Sequence, residues 1–288
     1  MIQVFFNALA VGLGIGTLGL GFLLVYRPTG VFHVSAGAIY AAMPFLLLEL
    51  GTRGAPLWLS LLICVAFGIG ISCAIEFFNH RRLGIGLSQT SAHLLSSLGI
   101  YIVLTQLVVI VWGPNVRSLR VGQDHSFRLG LLVATRAQIL EITIQAVLLL
   151  AFAALLKFTN IGLKLRALMQ NPSEMALLGY STQGFRLLAF AISGVFVAVV
   201  SLVNAYDLGF DPHGGLPAII LAIAAVIVGG RDSFLGPVAG GLLLGLLRSL
   251  AVWFSPKWQD CFTFVLLAAC LVFLPNGILG YSRRVKAP

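Results

Sequence analysis

Nine apolar runs follow one another along this 288-residue chain, and they limit the folds that it can adopt. A helix that crosses a bilayer needs about 20 predominantly apolar residues. The polar stretches between the runs are too short for a soluble domain, which usually needs at least about 50 residues. The sequence therefore predicts an all-α fold, a polytopic integral membrane bundle. The runs are Ile2–Tyr26, Ala36–Leu50, Leu57–Phe78, Ala92–Trp112, Gln138–Phe158, Leu187–Ala205, Leu216–Val228, Val238–Phe254 and Phe262–Leu274.

The number of transmembrane segments stays open between eight and nine, because two of the runs are short. Ala36–Leu50 is below the usual length, although Phe32 to Ser35 can extend it. Leu216–Val228 is short enough to be a re-entrant or broken helix. We therefore expect eight or nine transmembrane segments, of which Leu216–Val228 can be a re-entrant helix.

The scarcity of charge supports a single membrane domain. Only 9% of the residues are charged, whereas a soluble domain carries roughly 25%. Most of the surface must therefore face lipid, and we expect residues 1–288 to form one transmembrane domain. The first run lacks a basic leader and a small-residue cleavage site, so we expect it to be retained as a span.

The net charge of +9 does not indicate nucleic-acid binding, because the cations are scattered between the apolar runs. Cytoplasmic loops of membrane proteins carry an excess of Lys and Arg. With the N-terminus outside and all nine runs crossing, most cations fall on the cytoplasmic side, including Arg283, Arg284 and Lys286. This orientation places the C-terminus and residues 159–186 in the cytoplasm.

Sequence motifs for chemistry are missing from the chain. It has no G-x-x-x-x-G-K-[ST] loop for nucleotide and no H-E-x-x-H pair for zinc. The glycine-rich stretch Gly229–Pro237 reads as a turn between spans. We therefore expect no catalytic residue, no metal site and no cofactor in this chain, and a membrane-bound enzyme is disfavoured.

Two polar stripes occur within the apolar runs. His93, Ser97, Tyr101 and Thr105 recur every four residues, which places them on one face of a helix. A second, shorter stripe ends with Ser201 and Asn204. Polar groups inside a membrane protein bond to neighbouring helices or line a wet path, and both interpretations stay open here.

Arg248 lies about ten residues inside its apolar run, where an unpaired charge costs at least ~2.5 kcal/mol. We expect this buried charge to pair with an acid or to face an aqueous cavity. The candidate partners are Glu49, Glu76 and Glu141.

Three G-x-x-x-G pairs predict close helix packing within the molecule, because a residue without a side chain lets two helices approach. The pairs are Gly12 with Gly16, Gly236 with Gly240, and Gly241 with Gly245.

The stretch from Asn160 to Arg186 is polar in an otherwise apolar chain. Leu165, Leu168 and Met169 form a short apolar helical face, and Pro172 ends that helix. Ser173 is a suitable cap for a second short helix, Glu174–Leu178, that ends at Gly179. Two such helices fit a protein partner or the bilayer surface, and spacing does not decide between them.

The same stretch carries a family resemblance, and further motifs extend it over the whole chain. Gly162, Arg166, Ala167, Asn171, Pro172, Ala176, Leu178 and Gly179 occur in the order found in the permease subunits of branched-chain amino acid ABC importers and of the similar urea and short-amide importers. Downstream motifs of that family are matched by Gly229, Gly230, Ser233, Gly236, Pro237, Pro275, Gly277 and Gly280. The chain resembles these permeases.

The resemblance implies a function and a set of partners. In that family the stretch 159–186 is a coupling loop that docks on a separate ATP-binding subunit, and Lys164 and Glu174 would belong to it. The implied partners are ABC ATPase subunits, a second permease subunit and an extracytoplasmic solute-binding protein. The implied location is the bacterial inner membrane, with ATP used only on the partner.

One element departs from the family pattern. Where the family has N-F-A-H-G before the second span, this chain has His33 to Gly37, "HVSAG". If this element touches the solute, then His33, Ser35 and Gly37 join the residues that line the pathway, and the specificity is altered. Branched-chain amino acids are the expected solutes, with urea or short amides next. A stand-alone carrier or channel is the competing class.

Overall fold

The computed structural model describes residues 1–83, 90–120, 126–129, 132–274 and 276–280, and this part of the chain is almost entirely helical. Pro275, Arg283, Arg284 and Lys286 lie outside the described residues. The helices are α1 (Ile2–Thr29), α2 (Ala36–Thr52), α3 (Leu57–Ile75), α4 (Arg81–Leu83), α5 (Thr90–Trp112), α6 (Arg136–Phe158), α7 (Asn160–Gln170), α8 (Pro172–Leu177), α9 (Thr182–Leu208), α10 (Gly215–Gly229), α11 (Gly236–Phe254) and α12 (Gln259–Phe273). The strands are β1 (Ser126–Leu129) and β2 (Leu132–Thr135).

The predicted apolar runs all appear as helices. In the described part of the chain, seven helical segments are long and apolar enough to cross a membrane, and α2 and α10 are shorter apolar helices. Large apolar side chains on α3, α5, α6 and α12 are exposed, among them Ile110 at 77% and Val272 at 74%. A surface of this kind is stable only against lipid, so the chain is a multi-pass membrane protein.

Helix α1 forms the centre of the bundle, and glycines set its distance from α11. A Cβ on Gly12 would lie 2.8 Å from Leu242 Cα, and one on Gly241 would lie 2.4 Å from the backbone nitrogen of Gly16. A Cβ on Gly245 would lie 2.5 Å from Gly12 Cα. No side chain fits between these backbones, so the predicted role of the G-x-x-x-G pairs in packing within the molecule is confirmed.

The two short helices α2 and α10 start against each other inside the bundle. A Cβ on Gly215 would lie 1.9 Å from the carbonyl oxygen of Gly37. The first turn of each helix is therefore in direct backbone contact with the other. Both helices are shorter than the helices before and after them, since α2 has 17 residues and α10 has 15.

A small β-hairpin closes the end of the bundle where α1 begins, and the sequence analysis did not predict it. β1 and β2 pair antiparallel with Phe127 opposite Ala134. The Gln3 side chain holds the hairpin through both of its polar atoms, donating to the Val133 carbonyl at 2.9 Å and accepting from the Val133 N–H at 2.8 Å. The hairpin is thereby fixed to the first turn of α1.

The glycine-rich motifs meet at the opposite end, where α1 stops. Gly229–Pro237 is the turn between α10 and α11, as predicted. The chain after α12 pairs with it, since Ile278 donates to the Val228 carbonyl and Leu279 to the Gly229 carbonyl, each at 2.9 Å. Gly230 has a φ of 103°, and a Cβ there would lie 2.8 Å from the Gly280 nitrogen. Glycine is therefore required for this turn to pack.

Candidate coupling segment and polar interior

The coupling segment, residues 159–186, places α7 and α8 at the same end of the bundle as these glycine motifs. Leu165 and Leu168 on α7 are fully buried and Met169 is 4% exposed. Leu165 and Met169 pack with Leu20 and Leu156 of the bundle. The hypothesis that this apolar face waits for a protein partner is therefore wrong, because α1, α6 and α9 already cover it.

The opposite surface of the segment is exposed and partly apolar. Leu177 and Leu178 at the end of α8 are 88% and 76% exposed, and Leu163 on α7 is 59% exposed. Arg166 on α7 and Glu174 on α8 are exposed as well. A groove of 530 Å³ runs between the two helices, with Leu163 and Leu178 in its walls. This surface, and not the buried face of α7, is free for a partner.

Local caps explain why the segment forms two helices. The Thr159 hydroxyl accepts from the Gly162 N–H at 3.0 Å and starts α7. The Asn171 side chain accepts from the N–H groups of Ser173 and Glu174, at 3.2 and 3.3 Å, and caps α8. The predicted Ser173 cap is wrong, since Pro172 with its fixed φ takes the first helical position and Asn171 becomes the cap.

The predicted coupling residues divide by burial. Gly162 is buried, and a Cβ there would lie 2.2 Å from the Leu155 carbonyl oxygen, so this glycine lets α7 fold back against α6. Lys164 is half-buried with its ammonium over the rings of Tyr180 and Phe185, at 5.0 and 5.8 Å. Asn171 and Pro172 are also half-buried. The exposed residues of the set are Arg166, Ala167, Glu174, Ala176, Leu178 and Gly179.

The polar stripe on α5 contacts the linker between α1 and α2. The Ser35 N–H donates to the Ser97 hydroxyl at 2.9 Å, and that hydroxyl donates to the Ser35 hydroxyl at 3.1 Å. Ser35 Oγ lies 3.1 Å from His33 Nδ1. Tyr101 borders the first turn of α2, since a Cβ on Gly37 would lie 3.2 Å from its ring. The structure thus brings the predicted residues of the linker and of α5 together.

These interior residues are closely packed. His33, Ser35, His93 and Ser97 are each at most 4% exposed. Thr105 is 2% exposed, and its hydroxyl has no hydrogen-bond partner in the described part of the structure. The hydrogen bonds join helices, and a role in lining the pathway remains a prediction.

A buried ion pair next to this cluster was not predicted. A π-helical turn, Glu76–His80, follows α3. Arg186 of α9 donates to Glu76 Oε1 from Nη2 at 2.8 Å and from Nε at 3.0 Å. His80 Nδ1 lies 3.2 Å from His93 Nδ1. The spacing of Glu76 and His80, four residues apart, was the available signal that both face the interior.

The second polar stripe bonds to α2. Ser201 donates to the Tyr40 carbonyl, and the Asn204 side chain donates to the Tyr40 hydroxyl at 3.0 Å. The sequence analysis identified Ser201 and Asn204 but missed Tyr40. Its position one helical turn after Gly37 was the only signal.

A cavity of 460 Å³, here called the vestibule, lies beside this stripe between α1, α2, α6, α9, α10, α11 and the start of α12. Polar side chains in its walls include Tyr40, Glu141, Asn204, Asp207 and Arg248. Its apolar wall includes Ile15, Leu18, Ala218 and Leu221.

The expected partners of Arg248 are wrong. Its guanidinium donates to Asp260 Oδ1 at 2.9 Å and to Gln259 Oε1 at 3.3 Å, both at the start of α12. The Arg248 side chain is 17% exposed, so it is half-buried and faces a wet region. Asp260 was missed because spacing does not reveal that α11 and α12 form a hairpin. The three glutamates bond elsewhere: Glu49 to Arg53, Glu76 to Arg186 and Glu141 to Gln145.

Glu141 is the most buried acidic side chain in the walls of the vestibule, and it is 6% exposed. Its Oε1 accepts from Gln145 Nε2 at 3.2 Å. Gly14 faces this pair, and a Cβ there would lie 3.6 Å from Glu141 Oε1 and 3.6 Å from Asn204 Oδ1. Asp207 lies 4.0 Å from Arg120.

Comparison with known proteins identifies the family. The family described as "branched-chain amino acid transport system / permease component" matches residues 4–271. The chain belongs to this family. The predicted resemblance is confirmed, and it covers the bundle, the coupling segment and the vestibule alike.

Members of the branched-chain amino acid permease family align along nearly the whole chain. The high-affinity branched-chain amino acid transport system permease LivH of Escherichia coli K12 is 26% identical over 302 residues, which cover 97% of this chain and 95% of LivH. BraD of Pseudomonas aeruginosa has the same description and is 26% identical over 299 residues, with the same coverage. The autoinducer 2 import permease LsrC of Yersinia pseudotuberculosis is 32% identical over 148 residues, covering 48% of this chain and 42% of LsrC.

A solved structure has a related fold. A chain of PsaBC from Streptococcus pneumoniae, determined in complex with Fab, superposes with a TM-score of 0.53 and 14% sequence identity. The match covers 96% of this chain and 92% of that one. At this identity the likeness concerns the fold of the permease bundle alone.

Proposed function

We propose that this chain is the membrane permease subunit of an ABC importer. The observation that carries the proposal is the exposed surface of the coupling segment, with Leu177 at 88% and Leu178 at 76% exposure on α8 and the exposed cation Arg166 on α7. Exposed apolar side chains around a groove mark an interaction site. Because α7 already buries its other face in the bundle, this surface is the one that an ATPase subunit would contact.

The chain has no nucleotide-binding motif, so the energy comes from that partner. ATP hydrolysis there moves α7 and α8, and the bundle changes between two states that open the pathway to each side in turn. A second permease chain, identical or homologous, completes the transporter. An extracytoplasmic solute-binding protein delivers the solute.

The proposed orientation has the N-terminus outside and the C-terminus in the cytoplasm of a bacterial inner membrane. All nine apolar helices then cross, with α2 and α10 as the two that start inside the bundle. The positive-inside rule supports this orientation, and it puts α7 and α8 on the side where ATP is available.

The proposed solute is a branched-chain or related amino acid. The full-length relatives LivH and BraD are named for that transport, and they cover 97% of the chain. LsrC, a relative over about half of the chain, is named for autoinducer 2 import. Urea or a short amide is the alternative for the assay, because the chain also resembles the permeases of urea and short-amide importers.

Co-purification tests the proposed class directly. The tagged chain is expressed with the ATPase subunits encoded beside it, extracted and passed over a sizing column. We expect a stable complex with ATPase activity, and a charge reversal at Arg166 should abolish the substrate stimulation of that activity while Arg166→Lys retains it. Solute flux through the chain alone in liposomes, with no ATPase recovered, would identify a stand-alone carrier or channel.

A further inference from the structure

The vestibule combines features that recognise a particular kind of small molecule. Its 460 Å³ falls within the range of about 300–1,000 Å³ that is usual for small-molecule sites. A buried carboxylate, a guanidinium and an apolar surface all line the same space. We propose that the vestibule binds an α-amino acid as a zwitterion, with Glu141 on the ammonium group and Arg248 on the carboxylate. This inference rests on the proposed transport function and names the site at which the solute is recognised.

Glu141 is an acid whose charge is not neutralised by the protein. Among the described residues, no Lys, Arg or His forms an ion pair with it, and its hydrogen-bond donor is the neutral amide of Gln145. A carboxylate that is 6% exposed within a membrane helix is unfavourable unless it takes up a proton or a cation reaches it. A substrate ammonium group would supply that cation.

Gly14 lets polar groups of α6 and α9 pack closely against α1 beside Glu141. A side chain at this position would contact Gln145, Glu141 and Asn204, with its Cβ at 3.2, 3.6 and 3.6 Å from their polar atoms. Three polar groups from α6 and α9 therefore meet at a surface of α1 that has no side chain. An ammonium group needs several hydrogen-bond acceptors, and Glu141 Oε1 and Asn204 Oδ1 are the available pair.

Arg248 is held in a way that allows it to change partner. Its ion pair is with Asp260, whose side chain is 76% exposed, and such solvated pairs stabilise little. The planar guanidinium binds a carboxylate with two parallel hydrogen bonds. A substrate carboxylate can therefore replace Asp260 at small cost, while the buried stem of Arg248 stays in place.

The apolar wall favours an amino acid with an aliphatic side chain. Ile15 and Leu18 on α1 and Ala218 and Leu221 on α10 lie on the vestibule. Burying aliphatic surface there is favourable. Urea and short amides carry no charge and little or no alkyl surface, so they use neither charged residue and bury little against the apolar wall, and inorganic cations would not need Arg248.

Binding of radiolabelled L-leucine to the assembled transporter in lipid nanodiscs tests this inference. Glu141→Gln and Arg248→Gln should each weaken leucine binding by at least about tenfold, since each leaves a substrate charge unpaired. The matched controls are Glu49→Gln and Arg53→Gln, which remove the same charges from an exposed pair outside the vestibule. They should leave leucine binding within about twofold of the wild type.

Ligand analogues assign each charge to its residue. Leucine amide lacks the carboxylate, so Arg248→Gln should not weaken its binding further, whereas Glu141→Gln should. 4-Methylvalerate lacks the ammonium group and should show the opposite pattern. If a variant fails to assemble, the wild type decides: tighter binding of leucine than of both analogues supports the inference, and equal binding of all three overturns it.

The outcomes separate this inference from the proposed function. ATP-dependent leucine uptake that is unchanged in Glu141→Gln and Arg248→Gln overturns the vestibule site and leaves the importer intact. ATP-dependent uptake of urea without leucine binding would likewise overturn the vestibule site and leave the importer intact. Leucine binding that depends on both residues, in a chain that associates with no ATPase, would retain the site and overturn the importer.

Discussion

The ion pair between Arg186 and Glu76 is the most buried one among the described residues. The two side chains are 9% and 5% exposed, and both guanidinium bonds reach the same carboxylate oxygen. It joins the start of α9 to the π-helical turn after α3. Because α9 begins within the coupling segment and Arg186 is the last residue of that segment, this pair connects the segment to the interior of the bundle.

Removing one partner of this pair should be strongly destabilising. We expect Arg186→Met to lower the free energy of unfolding by about 3–5 kcal/mol, since it leaves the Glu76 carboxylate buried without its cation. The double variant Glu76→Leu with Arg186→Met should recover much of that loss. The midpoint of thermal unfolding in detergent measures both changes.

An exposed pair provides the control for this prediction. Arg53→Gln removes a cation whose side chain is 74% exposed, from a pair with Glu49 at the end of α2. We expect a change of about 0.5 kcal/mol or less. Equal destabilisation by Arg53→Gln and Arg186→Met would show that burial does not determine the effect.

At the residue scale, the sequence predicted that a side chain needs a polar partner better than it predicted which residue supplies that partner. Arg248 was correctly expected to need an acid, but Asp260 supplies it and the three glutamates do not. Spacing along one helix fixes which side chains share a face. It does not fix which helix packs beside that face, so Tyr40 as the partner of Asn204 and Arg186 as the partner of Glu76 were not found.

At the scale of elements, the crossing of α1 and α11 depends on missing side chains. We expect Gly241→Val to prevent this contact, because a Cβ there would lie 2.4 Å from the Gly16 nitrogen and 2.7 Å from the Gly12 carbonyl oxygen. The yield of monodisperse protein from a sizing column should fall to a small fraction of the wild-type yield. Gly70→Val on α3 is the matched control, since nothing lies within 4 Å of a Cβ there, and normal yield of both would contradict the proposed packing.

The coupling segment gives a second prediction for an element. Arg166→Glu and Gly179→Val should leave membrane insertion intact and abolish the substrate-stimulated ATPase activity of the assembled complex. Gly179 has a φ of 82°, which a β-branched residue does not tolerate, and Arg166 is on the exposed surface.

Two controls accompany this measurement. Arg166→Lys keeps the charge, and Gly184→Ala changes a helical glycine of α9 whose Cβ would meet Ser181 at 3.4 Å, an ordinary contact. Both should retain stimulation. Wild-type stimulation in Arg166→Glu and Gly179→Val would mean that this segment does not couple to an ATPase.

Apolar runs predicted the helices well, because a bilayer requires every backbone polar group to bond within the helix. The ends were less predictable. Asn171 caps α8 and Ser173 does not, because Pro172 takes the first helical position and the cap is the residue before it. The strands β1 and β2 have four residues each and depend on Gln3 at the far end of the sequence. No local pattern contains that contact.

At the scale of the whole molecule, the orientation in the membrane has a direct test. In a variant without the native cysteines, Gln170→Cys at the end of α7 should react with an impermeant thiol reagent only from the cytoplasmic side. Thr52→Cys at the end of α2 should react only from outside. Both positions are exposed. The reverse pattern would place α7 and α8 beyond the reach of any cytoplasmic ATPase.

The contact between Gly37 and Gly215 has a consequence for how fast α2 and α10 can move apart. Where side chains close a passage, a rotamer change within nanoseconds can open it. Here two backbones touch with nothing between them, so a pathway that ran between α2 and α10 would open only when one helix shifts as a rigid body. Such collective movements take microseconds to milliseconds, and that interval sets an upper limit on how often this opening can occur.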